Sequence, residues 1–193
     1  MLDNNIGYVA VYEFEETTSE QFNQAIDELT AQGMKGLIID LRDNPGGLVN
    51  SATAILDRIL SKDQLLVYTV DKNGKKQEEY TEDDETINVP ISVLINGNSA
   101  SASEIVSGCL QDYGKAKLVG TTSFGKGIVQ YVLPLGDGSA IKLTSAKYYT
   151  PNGRNIHGTG IDPDVEVELN SDSETDTQLE KAQEIVLQEI QAE

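Results

Sequence analysis

Apolar and polar positions alternate through IGYVAVYEF (6–14), the pattern of a strand with one covered face. The following TTSEQFNQAIDELTAQG places Phe22, Ala25, Ile26 and Leu29 on one helical stripe. Thr18 and Gln21 have capping-box spacing at its start, and Gly33 suits its end. KGLIIDL (35–41) is a short, unbroken apolar run, as expected of a central strand covered on both faces. After the loop RDNPGG, the segment LVNSATAILDRIL carries a second stripe at Ala52, Ile55, Leu56 and Ile59. QLLVYTV and KQEEY flank Asn73-Gly74, a hairpin turn signal. TEDDET (81–86) lacks the alternating ligands and glycine of a calcium loop, so it is expected to be solvated surface. VPISVLI (89–95) predicts another buried strand, SASEIVSGCLQDYG a helix, and AKLVG a strand. GIVQYVLPL and SAIKLTSAKYY form a hairpin through Gly136-Asp137-Gly138, and VEVEL predicts an edge strand. SDSETDTQ has the composition of a linker, and LEKAQEIVLQEI that of a terminal helix.

Alternating strands and helices with inserted hairpins predict an α/β domain with parallel pairing at its centre. A length of 193 residues suits one large domain, expected over residues 1–170, with an acidic linker and C-terminal helix over 171–193. Thirty-two acids against 14 bases give a net charge of −18. Such a surface repels phosphate backbones and anionic lipid heads, which argues against nucleic acid as a partner. Cys109 is the single cysteine, so no internal disulfide forms, and it falls in an apolar helical pattern as core filler. No run approaches the length of a bilayer span. Met1 opens directly onto strand-like sequence with no basic-then-apolar leader, as expected of a piece of a longer chain.

Three stretches could carry chemistry. In RDNPGG (42–47), two glycines after a buried strand permit a sharp turn and bring bare amides near a ligand, or serve only as a tight turn. In GNSASASEI (97–105), Ser101 and Glu104 have capping-box spacing, which explains the serine as helix punctuation. A serine at a helix start is equally placed for nucleophilic attack, with adjacent amides holding the oxyanion. In GTTSFGKGIVQ (120–130), Gly120, Gly125 and Lys126 nearly spell a phosphate-binding loop. Gly127 stands where a magnesium-binding hydroxyl belongs, and strand pattern replaces the expected helix. A base for a serine nucleophile could be His157, the lone histidine, or Lys126. A lysine base must be neutral, which means lowering its pKa from about 10.4 toward 7, about 4 kcal/mol of desolvation. Phe124, Ile128 and Val129 are suitable apolar surroundings, provided that Glu104 points away from the amine.

Taken together, DLRDNPGGL, NGNSASASEIVSG, SFGKGIVQ and YYTPNGRNIHGTGIDPDVEVEL resemble the carboxyl-terminal processing (tail-specific) protease family from about Gly7 to Leu169. The resemblance implies Ser101 as nucleophile, Lys126 as general base and Gln130 as the residue orienting the lysine. It implies an oxyanion hole from the Ala102 amide and an amide of the NPGG turn, Gly46 in preference to Gly47. Ser99 and Ser103 then return to capping and packing. The implied fold is a core of repeated β-β-α units like that of crotonases and caseinolytic peptidase. The implied substrates are proteins or peptides with apolar C-terminal tails, bound as an added strand, with no metal or cofactor. Extracytoplasmic or cell-envelope residence of a longer parent follows from the same source, as does homo-oligomer formation through an exposed edge. The PDZ domain usual in the family has no counterpart in these residues, so weak activity of this piece alone is expected. Two other readings fit part of the pattern: a catalytically silent domain that binds peptide tails, and a phosphate-loop nucleotide binder.

Overall fold

The computed structural model of the chain describes residues 1–170 and 175–192. In chain order the elements are β1 (Ile6–Ala10), α1 (Thr18–Ala31), β2 (Gly36–Asp40), α2 (Val49–Ile59), β3 (Leu65–Asp71) and β4 (Lys76–Tyr80). They continue with β5 (Ile91–Ile95), α3 (Ala102–Asp112), β6 (Ala116–Gly120), β7 (Ile128–Pro134), β8 (Ala140–Tyr149), β9 (Val165–Glu166) and α4 (Thr177–Ala192).

Two sheets result. The first has the order β1-β2-β5-β6-β9, and every pairing in it is parallel. Its central strands β2 and β5 are buried at every position, which is why they appear as continuous apolar runs rather than as alternation. The second sheet, β4-β3-β8-β7, is antiparallel and contains both hairpins. The expected α/β class with parallel centre and added hairpins is therefore present.

Side chains alternate across the parallel sheet. Leu37, Ile39, Val93, Ile95 and Leu118 face one way, into a core shared with Phe22, Ile26, Ile55, Leu56, Ile105 and Val106 of the first three helices. Leu66, Val67 and Tyr148 of the antiparallel sheet close that core from the far side. Ile38, Leu94 and Val119 face the other way, onto Ala182 and Val186 of α4. The α2 stripe behaves as its periodicity predicts, since Ala52, Ile55, Leu56 and Ile59 are all buried.

Three local readings are revised. The Thr18–Gln21 capping box does not form: Thr17 is the capping residue, and the Thr18 hydroxyl donates to Glu13 O while accepting from Glu15 N. The edge strand expected over VEVEL shrinks to the two residues of β9. The terminal helix begins two residues earlier than its apolar stripe suggests, at Thr177, whereas residues 171–174 of the expected linker lie outside the described residues.

That early start has a consequence. The Arg42 guanidinium, at the exit of β2, reaches Asp176 and Gln178 at 3.0 Å each while also holding Asp40. Burial raises the Asp176 carboxyl, but its bonds to Arg42 and to nearby amides outweigh this and hold it below the usual aspartate range. A depressed folded-state value contributes stability above the unfolded pKa, which is lost as pH falls through the folded one. Asp176→Asn is therefore expected to lower the urea midpoint at neutral pH. The gap to the parent protein should close on acidification below about pH 4. A gap independent of pH would show that the charge is not what fastens α4 here.

Candidate active site

The loops following β2, β5 and β6 leave the carboxyl ends of three neighbouring strands and so converge on one spot, the usual place for a site in a parallel sheet. They are the RDNPGG turn, the SASAS segment and the FGKG segment.

Asn44 organises the first. Fully buried, it donates through Nδ2 to Val11 O at 2.7 Å and accepts from the Gly46 amide through Oδ1 at 2.9 Å. Its own carbonyl accepts from Ala100 N and from the Ser103 hydroxyl, both at 3.0 Å. The turn is thereby bolted to the start of α3. The backbone beyond pairs with Phe14, whose N–H donates to Gly46 O at 2.8 Å and whose carbonyl accepts from Leu48 N at 2.7 Å. The Gly46 amide, favoured from sequence as the oxyanion donor, is thus already committed to Asn44. Among the described residues the Gly47 amide has no such partner. Gly46 earns its place differently: its φ is +107°, and a Cβ there would lie 2.7 Å from the Ser101 Cβ.

Ser101 caps α3 with φ 58° and ψ −113°, a backbone conformation that non-glycine residues rarely adopt. It is held there from both sides. Its N–H donates to Glu104 Oε2 at 2.8 Å, and its carbonyl accepts from the Glu104 and Ile105 amides at 2.9 and 3.1 Å. The spacing read as a capping box is real in this half, and Glu104 does more than cap. Fully buried, it also accepts from Lys126 N through Oε2 at 2.9 Å. Its Oε1 accepts from the Ser123 hydroxyl at 2.6 Å and from Gly125 N at 2.7 Å. One carboxylate therefore joins the serine turn to the lysine loop through main-chain and hydroxyl donors. It forms no ion pair with the Lys126 amine among the described residues, as the sequence reading required. The neighbouring Ser99 and Ser103 are structural: Ser99 Oγ donates to Leu41 O at 2.7 Å, and both side chains are fully buried.

Lys126 lies in an extended loop that runs straight into β7, so the helix a phosphate loop needs is a strand. The glycines around it serve close packing. A Cβ on Gly125 would meet Gly160 N at 3.0 Å, and one on Gly127 would meet His157 N at 2.7 Å. His157 itself is exposed and contributes only backbone to this packing. Lys126 and Gln130 are both half-buried, yet Gln130 Nε2 donates to Thr144 Oγ1, its cross-strand neighbour, at 3.3 Å. No hydrogen bond joins Lys126 to Gln130 or to the Ser101 hydroxyl among the described residues.

Beside the serine lies a cavity of about 430 Å³ between α2, α3 and the antiparallel sheet. Val49, Val67, Ile105, Val129, Ala146 and Tyr148 form its apolar walls, and Ile105 is one helical turn from Ser101. Among the described residues no cluster of histidine, cysteine or acidic side chains suits a metal ion.

Sequence reasoning missed Asn44, the reach of Glu104 and the presence of Tyr148. The spacing Ser101–Glu104 was the one available signal for the second; nothing local marks the other two.

Residues 5–167 match Peptidase family S41. The chain is 44% identical over 176 residues to a carboxy-terminal-processing protease of Bartonella bacilliformis, covering 86% of this chain and 40% of that protein. It is 43% identical over 164 residues to the carboxy-terminal processing protease CtpB of Bacillus subtilis, covering 85% and 34%. Among solved structures, the photosystem II D1 C-terminal processing protease superposes with a TM-score of 0.78 at 34% identity, over 94% of this chain and 46% of that one. The chain thus spans less than half the length of each of these relatives. With sequence and fold matched from the first strand through the last, the protein belongs to peptidase family S41, alongside the carboxy-terminal processing proteases.

Proposed function

We propose that these residues form the catalytic core of a serine endopeptidase that cuts near the C-termini of protein substrates, with Ser101 as nucleophile and Lys126 as general base. The observation that carries the reading is the Ser101 backbone at φ 58°, held at the head of α3 by the same carboxylate that holds the Lys126 amide. Such strain is retained where the surroundings over-determine it, as at an exposed nucleophile.

In the proposed reaction Ser101 Oγ attacks the scissile carbonyl carbon as its proton passes to the neutral Lys126 amine. The oxyanion is received by the amides of Ala102 and Gly47, neither of which has another acceptor among the described residues, and this replaces Gly46 as the turn's donor. The lysine ammonium then protonates the departing amine, leaving an acyl-serine. Water attacks that ester with Lys126 again taking the proton, and the serine is restored. Gln130 orients the amine by exchanging Thr144 for Lys126 when the dyad closes. The cavity beside Ile105 receives the side chain next to the cut bond, with Val49, Val67 and Ile105 as its apolar part and Asp71, Lys75, Gln77 and Glu79 as its charged and polar part. Strand β7 is the outer strand of its sheet and follows directly on Lys126, so it offers an unpaired edge to an extended substrate.

A fluorophosphonate probe tests the chemistry. The expected result is labelling of the parent protein, none of Ser101→Ala, and severe loss with Lys126→Ala but not with His157→Ala. Labelling that survives Lys126→Ala would remove the lysine from the mechanism. Absence of labelling in every variant would favour a silent peptide-tail-binding domain.

A further inference from the structure

Tyr148 opens the YYTPNGRN stretch but has no role assigned to it so far, and like Glu104 it adjoins the lysine loop beside the serine turn. It sits on β8, paired with Thr69 of β3, and its ring is only 3% exposed. Its backbone N–H donates to Gly127 O at 3.2 Å, and its phenol donates to Lys126 O. Two consecutive carbonyls of the lysine loop are therefore held by one residue. A phenol has a single proton, and here it is committed to Lys126 O, so toward any other partner the oxygen acts only as acceptor. Burial pushes the phenol well above its ordinary value, and the adjacent Ser101 hydroxyl draws it partly back.

We propose that Tyr148 is a positioning residue for the dyad: its hydroxyl pins the main chain at Lys126, and its backbone N–H pins the next carbonyl, at Gly127. Together the two bonds set where the segment that carries the base stands relative to Ser101. On attack both bonds stay in place. The proposal rests on the Ser101–Lys126 reading, and it concerns positioning rather than any proton passing through the phenol.

The test is Tyr148→Phe, which keeps the ring in the cavity wall and removes only the oxygen. Misplacing a reacting group by about 1 Å costs on the order of 100-fold, so kcat is expected to fall roughly 10- to 100-fold with KM changed less than about two-fold. The second-order rate of fluorophosphonate labelling should fall by a similar factor, because it reads Ser101 without a bound peptide. A purely structural tyrosine would instead lower the unfolding midpoint and leave the kcat of the folded fraction intact, and that result overturns the proposal. Should Tyr148→Phe not fold, 4-aminophenylalanine at position 148 keeps the ring and a donor toward Lys126 O. A kcat within about two-fold of the parent is then expected, and a loss of about 10-fold or more at an unchanged unfolding midpoint overturns the assignment. Labelling of Ser101→Ala or full labelling of Lys126→Ala would signal failure of the underlying dyad and not of Tyr148.

Discussion

Glu104→Ala is expected to abolish turnover and to leave the protein close to unfolding. Four donors converge on this buried carboxylate: the amides of Ser101, Gly125 and Lys126 and the hydroxyl of Ser123. Each buried donor left without an acceptor costs about 1–3 kcal/mol. Even if water reaches two of them, the loss is on the order of 4 kcal/mol against a typical total of about 5–15 kcal/mol. The catalytic effect is separable from this. Without the Glu104 side chain the strained Ser101 backbone keeps only the bonds to its carbonyl, and the serine turn and lysine loop lose their shared anchor, so activity of the folded fraction should fall at least about 100-fold. Glu104→Gln makes the comparison sharper, because size and burial are kept. One of its two ends becomes a donor facing two donors. At the Oε1 side Ser123 could turn its hydroxyl to accept, but that oxygen already accepts from Ile161 N at 2.7 Å. Circular dichroism melting with active-site titration by a fluorophosphonate separates the two losses. Near-parental turnover by Glu104→Gln would mean that the carboxylate is a helix cap and nothing more.

Much of this arrangement could be read from residues close in sequence, and what could not is set by pairing across the sheets. The apolar runs of β2 and β5, the α2 stripe and the turns at Asn73-Gly74 and Gly136-Asp137-Gly138 are local signals, and each lies where its pattern places it. The Ser101–Glu104 spacing was legible as a cap because a cap is a four-residue event. The same carboxylate's hold on Gly125 and Lys126 depends on β6 returning beside β5, which no window of residues reveals. Tyr148 approaches the lysine loop only through the β3–β8 and β7–β8 registers, with a bulge at Val129/Gln130 between them. The sequence offers no physical basis for choosing between Gly46 and Gly47 for a related reason. Choosing between adjacent amides requires knowing which one Asn44 takes, and that depends on Asn44 being drawn inward by Val11 at the end of β1. The exposed apolar ribbon of β7 and β8, with Tyr131, Val132, Leu133, Ile141 and Leu143 all open to solvent, shows the converse: strand pattern was legible, burial was not.

Gly46→Ala is expected to lose activity more completely than stability. The position combines a positive φ with a crowded Cβ position, as Gly47, Gly120 and Gly160 also do, but at Gly46 the crowding atoms belong to the Ser101 turn itself. Its φ of +107° costs an alanine about 1–3 kcal/mol. Beyond that, the new methyl would stand 2.7 Å from both Ala100 O and the Ser101 Cβ and 3.0 Å from Ala102 N. None of these is the free end of a flexible side chain, so the serine turn itself must move. A shift there displaces the proposed nucleophile Ser101 and the proposed oxyanion amide of Ala102 together, and a lost oxyanion donor alone costs about 100- to 1000-fold in kcat. Gly74→Ala and Gly136→Ala separate the contributions. Gly74 has φ +80° with open space around it, so alanine there should cost about 1 kcal/mol and leave kcat untouched. Gly136 has neither a positive φ nor a neighbour within 4 Å and should be neutral in both respects. If Gly46→Ala lost stability like Gly74→Ala while keeping its kcat, the turn would not be pressing on the nucleophile at all. The oxyanion site would then have to be sought away from the NPGG backbone.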